Sequence, residues 1–399
     1  MARCEQFPTG GHPDGRLRYA DRMRIDFAAS RPSTLGVEWE VLLVDRETRQ
    51  PTARADEVHR ALAGTPEGAR LDHELLENTV EIVTGVHETV ASAVAEIDRV
   101  RRAVLDAADA LGLGVLCAGT HPFADAVQPF RHSERYRQLI DRTQWWGRLM
   151  AIYGLHVHVG LDRVDKAIPV MHGMLSLLPH LLALSASSPW WQGVNTGYAS
   201  NRAMLFRQLP TAGLPMCVDG WAGFETIIDG MVRTGVIGGV DEVRWDVRPA
   251  PRFGTVENRV CDGVPTLTEV AALTAFVQSA VTDLSRRLDA GETITPLPDW
   301  VIAENKWRAS RYGLAAEIIT GPDLAEAPVV EQIRLEVARL EPVAASLGCA
   351  AELALVPDVL AAGASYQRQQ RVAVRASGSL PAVVDALVAE FAAGRPLAA

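Results

Sequence analysis

The stretch TLGVEWEVLLVD, residues 34–45, alternates polar and apolar side chains and then becomes continuously apolar. This pattern predicts a β-strand that is buried on at least one face. Glu38 and Glu40 are two residues apart, so both project from one face of the strand while Trp39 projects from the other. Two carboxylates held side by side repel each other, and a bound divalent cation would relieve that repulsion. The alternative is a solvated strand face that carries two acidic residues.

Three further predicted strands also place polar side chains among apolar ones. The polar positions are His156 and His158 in the strand predicted at residues 152–161, Glu257 and Arg259 in the strand predicted at 252–262, and Glu81 in the strand predicted at 79–83. Strands that carry such side chains on one face of a common sheet would form the floor of a polar basin. A basin rich in carboxylates suits Mg²⁺ or Mn²⁺ better than tetrahedral zinc. Carboxylates, a hard cation and arginines are the groups used in phosphoryl transfer from ATP.

Helical periodicity accounts for most of the remaining chain, so the sequence predicts the α+β class. Helices are predicted at residues 56–63, 90–111, 134–146, 171–185, 269–288, 329–347 and 382–391. Residues 186–217 are rich in Gly, Asn, Ser and Pro and predict a long loop. We expect residues 1–30 to form a flexible arm. Residues 31–399 are expected to form one catalytic domain with a helical C-terminal part from about residue 320, because the polar strands must converge on one basin.

Charge and cysteine content argue against several function classes. The 399 residues include 39 Lys and Arg against 49 Asp and Glu, and the resulting net charge of −10 argues against a nucleic-acid partner. Five scattered Cys without a C-x-x-C pair predict neither a disulfide framework nor a zinc–thiolate site, so a cytoplasmic location is expected. Residues 174–191 are apolar but interrupted by Pro, His and Ser, which argues against a membrane span.

Familiar nucleotide and nucleophile motifs are absent from the sequence. It contains neither G-x-x-x-x-G-K-[ST] nor G-x-G-x-x-G, so a P-loop or Rossmann nucleotide site is disfavoured. It also lacks G-x-S-x-G, which leaves serine hydrolase chemistry without support. A nucleotide would therefore have to be held by metal ions and side chains.

A series of motifs points to a known family. In chain order they read TLGVEWEVLLVD, HELLENTVEIVTG, CAGTHPF, RTQWWGR, GLHVHVG, LLALSASSPWW, GYASNRAMLFRQLPTAGLP, GTVENRVCDG and ENKWRASRYGL. Across about residues 25–390 this series resembles the type 2 glutamate–cysteine ligase family, and more narrowly its bacterial carboxylate–amine ligases of the actinobacterial form.

The resemblance implies a fold and a reaction. The implied fold is glutamine-synthetase-like, with a curved antiparallel sheet that forms an active-site funnel and helices packed outside. The implied reaction is ATP-dependent: the γ-carboxylate of L-glutamate is phosphorylated, and the amine of L-cysteine displaces phosphate to form γ-glutamylcysteine. The implied partners are small molecules, with ATP and Mg²⁺ or Mn²⁺ required, and a homodimer is the suggested assembly.

The resemblance also implies roles for individual residues. The positions that match the metal site are Glu38, Glu40, Glu74, Glu81, His156 and Glu257. Arg259 matches the arginine that steadies the transferring phosphoryl group, and with Glu257 it is predicted to be catalytic. His158, Arg202 and Arg248 are predicted to bind substrate, although a surface salt bridge is an equal alternative for each arginine.

One predicted helix face is basic and could contact ATP. Lys306, Arg308 and Arg311 in ENKWRASRYG are the residues predicted to bind its phosphates, with a solvated helix face as the alternative.

Three other functions stay open at this point. A γ-glutamyl ligase could use an amine other than cysteine. A metal-dependent hydrolase could use His156, His158 and the acidic strands without ATP. A scaffold that binds ligand without turnover is the third possibility.

Overall fold

The computed structural model describes residues 23–397. Its strands are β1 Leu35–Asp45, β2 Leu71–His73, β3 Thr79–Val83, β4 Leu113–Leu116, β5 Gly154–Gly160, β6 Trp190–Trp191, β7 Val194–Asn195, β8 Val247–Ala250, β9 Thr255–Asp262, β10 Glu317–Ile319 and β11 Glu326–Pro328. Its helices up to residue 233 are α1 Ala55–Ala61, α2 Val90–Ala110, α3 Glu134–Thr143, α4 Trp145–Arg148, α5 Ala167–Leu175, α6 Leu178–Ser185, α7 Asn201–Phe206 and α8 Gly220–Arg233. The later helices are α9 Leu267–Asp289, α10 Asp299–Tyr312, α11 Val329–Leu347, α12 Ala350–Leu353, α13 Val356–Ala362, α14 Ser365–Arg375 and α15 Leu380–Ala393.

One antiparallel sheet of seven strands organises the molecule. Its strand order is β2-β3-β1-β5-β9-β8, and β4 pairs with the last part of β1. The long strand β1 pairs with β3 along one edge and with β5 and then β4 along the other. The predicted α+β class is therefore confirmed, and the strand predicted at residues 34–45 lies at the centre of the sheet.

The two faces of this sheet differ because side chains alternate along each strand. Val37, Trp39 and Val41 of β1 and Leu155 and Val157 of β5 are at most 1% exposed and belong to the main hydrophobic core. Helices α2 and α9 contribute their apolar stripes to the same core. Burial of the apolar face leaves the acidic and imidazole side chains of the same strands on the opposite face.

Helix α2 illustrates how local sequence sets these elements. Thr89 is extended and its side chain accepts a hydrogen bond from the backbone N–H of Ser92, which satisfies one of the free donors at the helix start. Glu96 lies inside this helix, yet it is buried because Arg70 and His87 contact its carboxylate at 2.9 and 2.7 Å. The helix predicted at residues 90–111 is confirmed.

Two predictions about the middle of the chain are wrong in detail. The single helix predicted at residues 171–185 is two helices, α5 and α6, that meet at a bend of 60° before Pro179. The long loop predicted at 186–217 contains the β6–β7 hairpin and α7. The first segment is mostly apolar and the second is rich in Gly, Asn, Ser and Pro, so neither has a clear local periodicity. Packing sets their structure instead.

Within residues 23–397, no single helix is both long enough and apolar enough to cross a membrane. The bent pair of α5 and α6 reaches the required length and apolarity only when it is counted together. All eight residues of α6 are buried, as in a core helix.

The arm predicted at residues 1–30 lies mostly outside the described residues. Its last part packs against the body: the backbone N–H of Ile25 donates to Glu225 at 2.9 Å, and the indole of Trp221 donates to the Ile25 carbonyl at 3.3 Å. Phe27 also packs edge-to-face on Trp221, with ring centroids 5.5 Å apart. Residues 25–30 are therefore held by specific contacts.

Candidate active site

Strand register gathers the predicted polar residues on one face of the sheet. Glu38 lies opposite His156, and Glu40 lies opposite Glu81. His158 lies opposite Glu257, and Arg248 of β8 lies opposite Glu257 on its other side. An irregularity in the β5–β9 pairing, between Leu155 and Val157, gives β9 an extra residue there. Glu257 and Arg259 are two residues apart and share the polar face, and the bulge allows the adjacent residues Val260 and Cys261 both to be buried in the core.

Glu38 lies between two imidazoles. Its carboxylate accepts hydrogen bonds from Nδ1 of His156 at 2.9 Å and from Nε2 of His158 at 3.2 Å. Burial raises the pKa of Glu38, but the contacts with the two imidazoles together lower it by more. The pKa is therefore well below the ordinary value. Burial, followed by the charge of Arg259, lowers the pKa of His156 to about 4. Glu38 is thus ionised and His156 neutral near pH 7, which are the forms that bind metal.

Glu257 is fully buried between two arginines. Its carboxylate contacts Nε of Arg248 at 2.6 Å and accepts a hydrogen bond from Arg259. Burial opposes ionisation, yet the charges of Arg259 and Arg248 hold the pKa of Glu257 far below the ordinary value. Burial also opposes the charge of Arg259, but Glu257 and the nearby carboxylates raise the pKa of Arg259. The ion pair is therefore a permanent part of the site.

A second carboxylate group lies on the other side of His156. Burial and the charge of Glu74 raise the pKa of Glu40 to about 8, although the Gly154 backbone N–H donates to its carboxylate. Burial, then Glu74 and Glu38, raise the pKa of Glu81 well above the ordinary value. Glu74 directly follows β2 and lines the same cavity as Glu40 and Glu81. Three neighbouring carboxylates in a buried place hold more negative charge than the surrounding protein compensates.

These residues form two candidate cation sites that share His156. Ligand atoms of Glu38, His156 and Glu257 lie within 4.8 Å of one another, and so do those of Glu40, Glu81 and His156. Carboxylate oxygens predominate in both groups, which suits Mg²⁺ or Mn²⁺. A divalent cation would also relieve the raised pKa values of Glu40 and Glu81, so the residues present fit the predicted metal.

The raised pKa of Glu40 leads to a testable pH dependence. A carboxyl whose pKa rises from 4.5 to about 8 on folding stabilises the protein below pH 4.5, and this contribution is lost as the pH rises to about 8. The loss is at most about 1.4 kcal/mol per pH unit for one proton. We expect Mg²⁺ to raise the melting temperature more at pH 8 than at pH 5.5, as measured by thermal unfolding. In the Glu40→Gln variant this pH difference should shrink; an unchanged difference would contradict the assignment.

Arg202 enters the site from α7. It is 4% exposed, and its guanidinium donates only two long hydrogen bonds, of 3.5 and 3.4 Å, to the Arg259 carbonyl. Its Nε has no hydrogen-bond partner, and no carboxylate lies within ion-pair distance among the residues that the structure describes. Its guanidinium also lies over the Phe206 ring, 5.6 Å from the centroid. A buried guanidinium with so little compensation is suited to bind an anionic ligand.

A cavity of about 300 Å³ lies beside the second carboxylate group, and Glu38 and Glu257 are not among the residues that line it. Its charged and imidazole lining consists of Glu40, Asp72, His73, Glu74, Glu81, His156, Arg202, Arg244 and Arg259. Sequence reasoning missed Asp72, His73 and Arg244. In the structure Asp72 pairs with Glu81. The sequence did not indicate this position because β2 has only three residues, which are too few for a recognisable alternation.

The structure does not bring two other predicted residues to this cavity. Arg248 forms an ion pair with Glu257 and donates a hydrogen bond to the Val243 carbonyl at 2.6 Å. Its role is therefore to stabilise the Glu257 carboxylate. His158 is buried, its Nδ1 lies 3.0 Å from the Thr255 hydroxyl, and it orients Glu38. Both residues contact the carboxylates and not the cavity space.

The predicted phosphate-binding residues of α10 also lie elsewhere. Lys306 is buried and its Nζ contacts Asp246 at 2.6 Å. Arg308 contacts Glu304 and Glu326 at 2.8 and 2.7 Å. Arg311 donates to the Gly197 carbonyl and lies over aromatic rings. The three side chains thus have separate protein partners, and none of them lines the cavity above the sheet.

Similarity to known proteins agrees with this geometry. Residues 34–386 match the sequence model of glutamate–cysteine ligase family 2. A provisionally named glutamate–cysteine ligase 2-3 from Nocardioides sp. is 52% identical over 376 residues, which are 93% of this chain and 100% of that protein. The provisionally named glutamate–cysteine ligase 2 of Mycobacterium tuberculosis is 52% identical over 369 residues, or 92% of this chain and 97% of that protein.

Solved structures agree at the level of the fold. The glutamate–cysteine ligase of Francisella tularensis, solved in complex with AMP, superposes with a TM-score of 0.64 at 14% identity and covers 92% of this chain and 90% of that chain. A bifunctional glutathione synthetase from Pasteurella multocida has a TM-score of 0.59 at 14% identity, covering 90% of this chain and 52% of that chain. The fold implied by the sequence resemblance is confirmed. With its match over residues 34–386 and relatives 52% identical over nearly their whole length, the chain belongs to glutamate–cysteine ligase family 2.

Proposed function

We propose that this protein is an ATP-dependent carboxylate–amine ligase that activates the γ-carboxylate of L-glutamate and joins it to an amine, with L-cysteine as the acceptor that the family name suggests. The observation that carries the proposal is the pair of candidate ligand groups around His156, one of which, Glu40, Glu81 and His156, lines a cavity together with Arg202 and Arg259. Family membership supports the ligase class. The AMP complex of the Francisella tularensis ligase supports a nucleotide as co-substrate.

The carboxylates would hold the cations that accompany ATP. A neutral imidazole offers one lone pair, and Nε2 of His156 lies on the side of Glu40, so Glu40, Glu81 and His156 would hold one Mg²⁺. Glu38 and Glu257 would then bind a second Mg²⁺ through their carboxylates. When bound, Mg²⁺ neutralises phosphate charge and aligns the transferring group. His158 contributes by fixing the orientation of the Glu38 carboxylate.

The arginines would position the anionic substrates. Arg259 lines the cavity, its Nε has no hydrogen-bond partner within the described part of the chain, and it stays protonated. It is suited to steady the charge that spreads over the phosphoryl oxygens during transfer. Arg202 is suited to bind a carboxylate of glutamate because its guanidinium is buried and, among residues 23–397, has no carboxylate within ion-pair distance.

The reaction divides into two transfers whose atoms balance. The γ-carboxylate oxygen of glutamate attacks the terminal phosphorus of ATP, a P–O bond to ADP breaks, and an acyl phosphate forms. The acceptor ammonium then loses a proton to a carboxylate of the cavity. Its nitrogen forms the C–N bond, the C–O bond to phosphate breaks, and phosphate leaves with the second proton of the nitrogen.

The experiment that tests this function is an assay of ADP and phosphate with glutamate and an amine varied separately. Release that requires ATP, Mg²⁺, glutamate and an amine together, with a product of the expected mass, is the predicted result. Turnover of a substrate without ATP would favour a metal-dependent hydrolase. Binding of ATP with Mg²⁺, measured by calorimetry without any product over hours, would instead indicate a non-catalytic scaffold.

Replacing Arg202 tests the binding of glutamate. We expect Arg202→Met to raise KM for glutamate about 10- to 100-fold, since a charge-assisted contact contributes about 1.5–3 kcal/mol. KM for ATP should change little. Arg207→Met, which alters an exposed arginine of the same chain segment, serves as the matched control. An unchanged KM for glutamate in Arg202→Met would remove this residue from the substrate site.

A further inference from the structure

One wall of the cavity is apolar, opposite its carboxylates. Six side chains from four segments form this apolar wall: Leu75, Leu139, Met150, Ile152, Phe206 and Leu209. Met150, Phe206 and Leu209 are buried at 3, 9 and 7% exposure, and the other three are half-buried. All six belong to one hydrophobic cluster, so the wall is a packed surface and not a scatter of single residues.

The metal, the phosphate groups and glutamate do not account for this wall. Each of these groups is polar or charged and is matched by the carboxylates and arginines of the opposite side. Among the proposed substrates, the adenine of ATP is the other group that could cover this wall. Arg202 and Phe206 are one helical turn apart on α7, and the guanidinium lies over the ring. The boundary between the polar and apolar halves therefore passes directly beside the proposed glutamate position.

A cysteine side chain is a poor match for a wall of this extent. It offers one methylene and one sulfur, whereas the wall presents leucine, isoleucine, methionine and phenylalanine side chains from four segments. A short acceptor would leave much of this apolar surface against water, which is unfavourable. A longer hydrocarbon chain would cover it.

We propose that the acceptor is a primary amine whose side chain is a hydrocarbon larger than that of cysteine, lying on the apolar wall with its nitrogen toward the cavity carboxylates. This inference rests on the proposed ligase function and names its acceptor class. The ammonium gives one proton to a carboxylate, and the neutral nitrogen forms the C–N bond with the activated glutamate. Phosphate leaves with the C–O electron pair and takes up the second proton of the nitrogen, which leaves the amide N–H. The acid-rich side receives the ammonium, and the apolar wall receives the hydrocarbon.

A graded series of acceptors tests the proposal, with ATP, Mg²⁺ and glutamate fixed. The amino acid arm is L-cysteine, L-2-aminobutyrate, L-norvaline, L-norleucine and L-phenylalanine, and the second arm consists of the matching amines without the carboxylate, from propylamine to phenethylamine. We expect kcat/KM to rise about fourfold per added methylene, corresponding to about 0.8 kcal/mol. The two arms distinguish an amino acid acceptor from a simple amine.

Two leucines of the same cluster provide a matched pair of variants. Leu139 lines the cavity, whereas Leu205 is equally half-buried but does not. Leu139→Gln should lower kcat/KM for the longest acceptor about tenfold and leave KM for glutamate and ATP unchanged. Leu205→Gln should leave the dependence on chain length unchanged, since it does not contact the acceptor.

The outcomes separate this inference from the function on which it rests. ADP release with cysteine that exceeds release with 2-aminobutyrate by more than tenfold, and falls for longer chains, would overturn the inference and leave the ligase function intact. A rate independent of chain length, or equal effects of Leu139→Gln and Leu205→Gln, would also overturn it. A KM for ATP that rises in Leu139→Gln would assign the wall to adenine and overturn the inference. If no amine in either arm releases ADP, the ligase function itself fails and this inference fails with it.

Discussion

Glu38→Gln is expected to lower glutamate- and amine-dependent ADP release about 10²- to 10³-fold, the range found when one charge-stabilising group is removed from an active site. Glu38 has a strongly lowered pKa and lies between His156 and His158, so it supplies a permanent negative charge at the candidate cation site. Glutamine keeps the shape but not the charge, and its amide cannot accept both imidazole hydrogen bonds in the same way. The measurement is coupled-assay turnover over a range of Mg²⁺ concentrations.

The matched control for this variant is Glu88→Gln. Glu88 is an exposed glutamate that contacts Arg31 on the surface, and its replacement should leave turnover unchanged. Circular dichroism should show that both variants are folded, because the Glu38 side chain is 24% exposed at the cavity side of the sheet. Wild-type turnover of Glu38→Gln at every Mg²⁺ concentration would show that Glu38 does not bind the cation.

Glu257→Gln is expected to reduce the stability of the protein as well as its activity. Glu257 is completely buried and neutralises Arg248 and Arg259, so its loss leaves two half-buried cations without this carboxylate. Breaking a buried ion pair in this way costs about 3–5 kcal/mol in the free energy of unfolding. Urea denaturation followed by tryptophan fluorescence measures the change.

A second substitution shows whether the uncompensated charge is the cause. The double variant Glu257→Gln/Arg248→Met removes one of the two cations and should recover part of the lost stability. Glu326→Gln breaks an exposed pair with Arg308 and should cost less than about 1 kcal/mol. Equal losses from Glu257→Gln and Glu326→Gln would contradict the role of the buried charges.

Much of the site was predictable because a strand has a period of two. Residues Glu38, Glu40, His156, Glu257 and Arg259 occupy alternate positions on apolar strands, so their common face follows from local geometry alone. The same period explains why β1, β3, β5 and β9 were all recognised. The resemblance then identified Glu74, for which the local sequence offers no strand pattern.

Some of the predicted residues lie away from the cavity, and the reason for this is different. Lys306, Arg308 and Arg311 are on one helix, but whether a basic side chain faces a ligand or a carboxylate depends on what packs beside that helix. Arg248 looked like a substrate ligand because its partner Glu257 is contributed by the next strand. Contacts between residues distant in sequence decided the position of these side chains, through packing around the helix for Lys306, Arg308 and Arg311 and through strand pairing for Arg248.

By itself the sequence determined the α+β class, the alternating acidic and imidazole positions and the family, because these depend on short-range periodicity and on motifs read in order. Only the tertiary structure decided which carboxylates surround His156, that Glu257 is held by two arginines, and that the buried Arg202 has no carboxylate within ion-pair distance in the described part of the chain. It also assembled the apolar wall from four separate segments. Such contacts depend on register and packing between distant segments, and neither quantity is encoded in a local pattern.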